Sequence, residues 1–300
     1  MVRALASLWL ALIALPAVAQ PRARLHGVAS WAYQLQRIDL EALVASHYDL
    51  LVIDPMAEDG KPRPAADIAR LRARADRPRI VLAYLSIGEA ESYRAYWQPE
   101  WKKKPPRWLG KPNPYWQENY NVRFWDPEWQ AYVVGPGGTL DGAITQGFDG
   151  VYLDRLDAFE VWGPDGKGDR GEASGKAAMV AFVERIARAA REGRGQDGFL
   201  IVGQNASTLA ASPAYLAAID AIALEDVFTE QDRRVPRRHV ESRLDELGPA
   251  RRRGLPLFAV DYLPARRARE RFVKEARGKG LIPFAAPSRW LDRLPLPPIP

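Results

Sequence analysis

The 300-residue chain contains no cysteine. Disulfides, thiolate-bound metals and cysteine nucleophiles are excluded outright. Histidine is nearly as scarce. The three present, His26, His47 and His239, lie far apart with no paired-ligand spacing, so no metal site of the zinc type is expected. Also missing is any apolar run long enough to span a membrane comfortably. The longest, Ala4 to Leu15, follows Arg3 and precedes Pro16-Ala17-Val18-Ala19. That is the charged, apolar, small-x-small order of a secretory signal. Residues 1–19 are therefore expected to be a signal peptide, and the mature chain to start near Gln20. The protein is expected to be exported, periplasmic or extracellular, without stable membrane insertion.

A chain exported without disulfides depends on its core. Hydrophobic residues make up 47% of the sequence, enough for one large domain over residues 20–294. The Pro-rich end, 295–300, reads as an extended tail. Lys and Arg number 43 against 37 Asp and Glu, a net charge of +6. The basic residues cluster late, at Arg233-Arg234, Arg237-Arg238, Arg251-Arg252-Arg253 and Arg266-Arg267. Such clusters suit an anionic partner, a nucleic acid or a phospholipid surface. They equally suit helix surfaces on which Arg is the favoured cation, since acids are interleaved at Glu241 to Glu246 and Glu270 to Glu275. No aromatic residues alternate with these Arg as a base-stacking platform requires, so the second reading is preferred and no nucleic-acid partner is expected.

Short apolar runs alternate with longer amphipathic segments. Strands are expected at Leu25 to Trp31, Asp49 to Ile53, Arg79 to Leu85, Gly150 to Leu153, Phe199 to Val202, Ala221 to Leu224, Leu257 to Val260 and Leu281 to Ala285. Helices are expected at Asp39 to Ser46, Pro64 to Ala75, Gly175 to Arg191, Pro213 to Ile219, Val235 to Leu247 and Arg266 to Gly278, with a partial helix, interrupted by Gly135-Pro136-Gly137-Gly138, over Trp129 to Gln146. Eight such alternations point to an α/β fold, a closed parallel (β/α)8 barrel of the TIM type. The widest departure from a minimal barrel falls between the third and fourth strands. Trp97, Trp101, Trp108, Trp116, Trp125 and Trp129 lie there, and Pro105, Pro106, Pro112 and Pro114 preclude a long helix. An insertion of this composition suits a platform on which sugar faces stack. It suits equally a small core that packs the insertion onto the barrel.

In a (β/α)8 barrel, polar residues at the C-terminal ends of strands carry the chemistry. The expected strand ends deliver Asp54, Ser86, Glu89, Asp154, Asp157, Asn205, Glu225 and Asp261 to one face. A carboxylate after a strand often caps the next helix, a role that suits Asp157 and Asp226. Five converging carboxylates exceed that explanation. They suit either a hard metal such as calcium or magnesium, or the acid and base, or nucleophile, of glycoside hydrolysis.

The segment Val81-Leu82-Ala83-Tyr84-Leu85-Ser86-Ile87-Gly88-Glu89-Ala90-Glu91-Ser92-Tyr93-Arg94, then Trp125-Asp126-Pro127, then the stretch from Gly147 to Asp157, together resemble glycoside hydrolase family 114, the endo-α-1,4-polygalactosaminidase-like proteins. The resemblance runs from about Gly27 to Pro287. It implies a (β/α)8 hydrolase of α-1,4-linked galactosamine or N-acetylgalactosamine polysaccharide, endo-acting and retaining, with no cofactor and no metal. It implies a catalytic pair at the ends of the fourth and sixth strands, here Asp154 and Glu225. The residues select the same two, since each follows directly on an apolar strand that holds its backbone rigidly. Asp154 is expected to be the nucleophile and Glu225 the acid/base. Asp54, Glu89 and Asp261 are expected to pair with an ammonium on a deacetylated sugar. Tyr84, Ser86, Trp125, Asn205 and Tyr262 are expected to contact sugar. A monomer is expected. The competing readings are a carbohydrate-binding barrel without turnover and a binder of anionic polymer through the Arg clusters, whose affinity would fall steeply with salt.

Overall fold

The computed structural model describes residues 21–74, 77–162 and 172–295. The signal segment, Ala75 and all of the tail but Pro295 lie outside the described residues.

Eight parallel strands form one sheet. They are β1 Trp31–Gln34, β2 Leu50–Ile53, β3 Ile80–Ser86, β4 Gly150–Asp154, β5 Leu200–Gln204, β6 Ala221–Glu225, β7 Leu257–Tyr262 and β8 Ile282–Ala286, paired in that order. β8 returns beside β1, where the Trp31 indole Nε1 donates to the Ile282 carbonyl at 2.9 Å. The sheet is thus a nearly closed barrel wrapped by helices, the (β/α)8 plan. Seven of the strand assignments fall within a residue or two of the expected positions, because each is an apolar run buried on both faces. All seven residues of β3 are buried.

The first strand does not lie at Leu25 to Trp31. Pro21–Leu25 forms a short 3-10 helix, and the strand starts only at Trp31. The large apolar residues of that run, Leu25, Val28 and Trp31, are three apart, a turn spacing rather than a strand spacing. The helix over 172–191 begins three residues earlier than expected, and the segment after it follows the expected order. The partial helix divides at the glycines into Pro127–Val134 and Thr139–Thr145.

The N-terminal end of the barrel is tied by three aspartates that directly precede β2, β4 and β6. Asp49 accepts from the Ala29 and Ser30 N–H groups at 2.9 and 3.0 Å. Asp149 accepts from the Val81 N–H at 2.9 Å, and Asp220 from the Ile201 N–H at 2.8 Å. Arginines neutralise each one: Arg77 and Arg74 on Asp49, Arg24 and Arg72 on Asp149, Arg191 on Asp220. Arg79, buried at the same end, donates to the carbonyls of Tyr48, Leu43, Leu71 and Ser46. A good part of the arginine is therefore structural. The late clusters also sit in helix-surface pairs, Arg237–Glu241 and Arg266–Glu270.

Between β3 and β4 the chain forms a three-stranded antiparallel sheet, with Asn119–Val122 between Glu89–Glu91 and Leu109–Pro112. Its tryptophans form a core of their own. Trp101, Trp108 and Trp129 are buried, and Trp108 sits 5.0 Å edge-on from Trp101 and 5.1 Å from Trp129. Gly88 enters this insertion so close to Arg155 that a side chain there would collide with the Arg155 carbonyl.

Candidate active site

The floor of the site follows from the strand period. Residues at every second position face the lumen. From β1, β3, β4, β7 and β8 that rule brings in Trp31, Tyr33, Tyr84, Tyr152, Phe258 and Phe284. Their rings pack against one another at tilted and edge-on angles: Tyr33 lies 5.1 Å from Tyr152 and 6.3 Å from Tyr84, and Trp31 5.3 Å from Phe258. Tyr33 was not among the expected site residues, because the first strand starts later in the chain than the apolar spacing suggests.

The carboxylates stand above these rings. Asp154 closes β4 in register with Ser86 on β3, so both side chains face the same way. Its Oδ2 accepts from the Tyr84 hydroxyl at 2.8 Å, and its Oδ1 from the Arg155 N–H at 2.7 Å. Glu225 closes β6. Its Oε2 accepts from the Asn205 amide at 3.1 Å, and its Oε1 from the Tyr262 hydroxyl. The Asn205 Oδ1 in turn accepts the Glu225 N–H at 3.0 Å, which pins the base of the side chain. Asp154 and Glu225 are half-buried at the barrel mouth.

Burial, and next the nearby charge of Glu225, push the Asp154 carboxyl up to about 8. Burial also raises Glu225, against the pull of its Tyr262 and Asn205 hydrogen bonds. Two carboxyls that shift each other in this way titrate as a pair. The Tyr84 and Tyr262 hydroxyls are raised well above the usual phenol value, first by burial, so both remain donors.

The backbone is strained just here. Arg155, Asn205 and Asp226, each directly after β4, β5 or β6, have φ of 63°, 60° and 51°. A non-glycine residue in the left-handed region costs about 1 kcal/mol. Three such residues at the mouth are tolerated because the flanking strands hold them.

Other expected site residues are already engaged. The Arg94 guanidinium grips both oxygens of Asp54, at 2.7 and 2.9 Å, and also binds Glu91 at 2.7 Å. Glu89 accepts from Asn113 at 2.8 Å and Asn119 at 3.2 Å and pairs with Arg155 at 2.9 Å. Neither acid is left for a sugar ammonium. Glu89 instead ties the insertion to the residue after Asp154. Asp261 is fully buried: it accepts the N–H groups of Val227, Phe228 and Thr229 at 2.8, 3.1 and 2.7 Å, and so shapes the loop after Glu225 rather than facing the mouth. Burial pushes its carboxyl up to about 7 while those three donors pull it down. Trp125 packs edge-on against Phe124 and Trp162 at 5.0 and 5.6 Å. Asp157 and Asp226 do not cap helices. Asp157 pairs with Arg155 at 3.1 Å, and Asp226 is gripped by Arg289 at 2.7 and 2.9 Å. The Ser86 Oγ and the Tyr152 hydroxyl are buried without a hydrogen-bond partner.

Arg94, Arg155 and Arg289 complete the site and were not singled out from sequence. Arg94 and Arg155 fall inside the motif segments but look like surface cations there. Arg289 lies beyond the last strand, where no periodicity points to it. Among the described residues no group of three or more His, Cys, Asp or Glu is arranged to hold a metal ion. No described helix is long and apolar enough to cross a membrane.

A family model described as glycoside-hydrolase family GH114 matches residues 13–288. An uncharacterised protein of Deinococcus radiodurans is 38% identical over 275 residues, covering 90% of this chain and 83% of its own length. The glycoside hydrolase domain of PelA from Pseudomonas aeruginosa superposes with a TM-score of 0.69 at 22% identity, over 89% of this chain and 98% of that domain. Ega3 of Aspergillus fumigatus, solved in complex with galactosamine, superposes with a TM-score of 0.65 at 18% identity, over 89% of this chain and 94% of its own. At these identities the two solved structures speak for the fold.

Proposed function

The chain belongs to glycoside-hydrolase family GH114, and on that premise we propose that it hydrolyses α-1,4-linked galactosamine or N-acetylgalactosamine polysaccharide, internally and with retention, outside the cytoplasm. The observation that carries the reading is the pair Asp154 and Glu225, fixed at two strand ends over an aromatic floor, with burial raising both carboxyls and the charge of Glu225 raising Asp154 further. Glycosidic cleavage needs one carboxyl protonated and one ionised. The galactosamine bound to Ega3 supports the substrate class.

In this reading Glu225 protonates the leaving oxygen while Asp154 attacks the anomeric carbon. Water, deprotonated by Glu225, then releases the sugar from Asp154. Burial raises both carboxyls, so either can hold a proton near neutral pH. The first step therefore starts from the form with the proton on Glu225 and Asp154 ionised. The strands of the pair are two apart, about 10 Å at the backbone for adjacent spacings of about 4.8 Å. Both side chains lean inward, and Glu is one methylene longer than Asp. A separation near the ~5–5.5 Å of retaining enzymes is within reach.

The test is incubation of the mature protein with α- and β-linked amino-sugar polymers, reading released reducing ends and, by proton NMR, the first anomer formed. An initial α-anomer from an α-linked polymer is expected. An initial β-anomer would make Asp154 a base that activates water, and no release from any galactosamine polymer would end the substrate assignment. Glu225→Gln is expected to keep the first step only on a substrate whose leaving group needs no proton.

A further inference from the structure

Three of the six tryptophans between β3 and β4 are buried, yet a few large aromatics remain open to solvent. Among the described residues the exposed large apolar side chains are Tyr93, Tyr115, Trp116, Val161 and Trp290. Tyr115 and Trp116 belong to the insertion, while Trp290 follows β8, far along the chain. Trp116 and Trp290 nonetheless meet edge to face at 5.2 Å. They remain 37% and 60% exposed, and Tyr115 is 83% exposed. An aromatic patch left open on both contributing segments needs an occupant.

A residue next to each indole is linked through one further side chain toward the catalytic pair. Beside Trp290, the Arg289 guanidinium lies 4.3 Å over the Tyr262 ring, and the Tyr262 hydroxyl donates to Glu225. Before Trp116, Asn113 donates to Glu89 at 2.8 Å, and Glu89 pairs with Arg155, the neighbour of Asp154. The Asn113 Oδ1 also accepts the Tyr115 and Trp116 N–H groups at 2.9 and 3.4 Å, which fixes the turn carrying both rings. These contacts hold both ring-bearing segments against residues that touch or adjoin the catalytic pair. The cation beside Trp290 in the chain, Arg289, is neutralised by the two-oxygen grip on Asp226. The occupant that fits is an extension of the substrate itself. A pyranose presents an apolar C–H face that packs on an indole, and an ammonium on the sugar adds attraction to the ring face.

We propose that Trp290 and Trp116, with Tyr115, form an outer subsite that stacks a sugar ring of the polysaccharide beyond the ring being cleaved. This rests on the hydrolase reading for its occupant, and on the exposed rings for its position. The subsite makes affinity depend on chain length: an oligosaccharide long enough to reach the patch gains a stacking contact that a disaccharide lacks.

The test uses the full mature protein with Asp154→Asn to block turnover, titrated calorimetrically with galactosamine oligosaccharides of increasing length and with a panel of other α- and β-linked polysaccharides. Affinity is expected to rise at one chain length by about tenfold, the factor that about 1.4 kcal/mol supplies. Adding Trp290→Ala is expected to remove that step with the melting midpoint unchanged, and Trp290→Phe to restore part of it. A step of the same size with and without Trp290 overturns the subsite. So does a chain that binds no polysaccharide, or a dimer that Trp290→Ala dissolves. A Trp290-dependent step seen only with a different polysaccharide keeps the subsite and removes the galactosamine assignment.

Discussion

Asp154→Asn should flatten the dependence of stability on pH. The asparagine is nearly the same shape. Its Oδ1 keeps the Arg155 N–H, and its amide donates to the Tyr84 oxygen, since a tyrosine hydroxyl turns from donor to acceptor. What the substitution removes is a titration. In the folded protein the carboxyl moves from 3.8 to about 8, with burial as the main cause and Glu225 next. A raised carboxyl holds its proton longer in the folded chain than in the unfolded one. The stability it lends is complete below about pH 4 and is lost as pH rises toward 8. About four units at ~1.4 kcal/mol each give a ceiling of ~6 kcal/mol. The site opens to water at the barrel mouth and the charge is shared with Glu225, which screen the effect to about 2 kcal/mol. Urea unfolding of both proteins at several values between pH 5 and 8 measures this. The variant should gain on the parent by about 1 kcal/mol across that range, whatever the offset between them at pH 5. Parallel curves would show that Asp154 is not raised, and the account of two mutually shifted carboxyls would fall with it.

Tyr262→Phe removes a donor that favours ionised Glu225, so both limbs of the pH profile of kcat/KM should move to higher pH, and an unmoved profile would deny the contact a role. Asp261→Asn leaves an amide facing at least one of the three N–H groups after Glu225. A stability loss of about 2–3 kcal/mol in thermal or urea unfolding is expected, and a neutral result would contradict the buried loop anchor. Trp108→Ala empties the core of the insertion and should cost about 3–5 kcal/mol, whereas Trp116→Ala, at a half-open position, should cost under about 1 kcal/mol in the same unfolding assay. Mass spectrometry of protein from the native cell envelope should find the N-terminus near Gln20, and a full-length mass retaining Met1 would refute cleavage after the small-x-small motif.

Seven of the barrel strands, and the alternation that makes a barrel of them, were legible in the chain because strands buried on both faces must be short, apolar and bounded by breakers. So was the placement of Asp154 and Glu225 at two strand ends, because the change from apolar to acidic is abrupt there. The first strand was misplaced. Its leading segment is held by the Ala29 and Ser30 N–H groups donating to Asp49, directly before β2, a contact no local pattern records. Tertiary structure alone decided which acids are free. Asp54 and Glu89 resemble Asp154 in sequence, yet Arg94 and Arg155 occupy them, and Asp261 has turned inward to three backbone N–H groups. It also sorted the tryptophans, burying Trp108 and Trp129 and bringing Trp116 against Trp290 across 174 residues of chain. The division has a physical cause. Burial along a strand is a periodic property of neighbouring residues, whereas an ion pair or an edge-to-face ring contact depends on which distant side chain arrives at the same place.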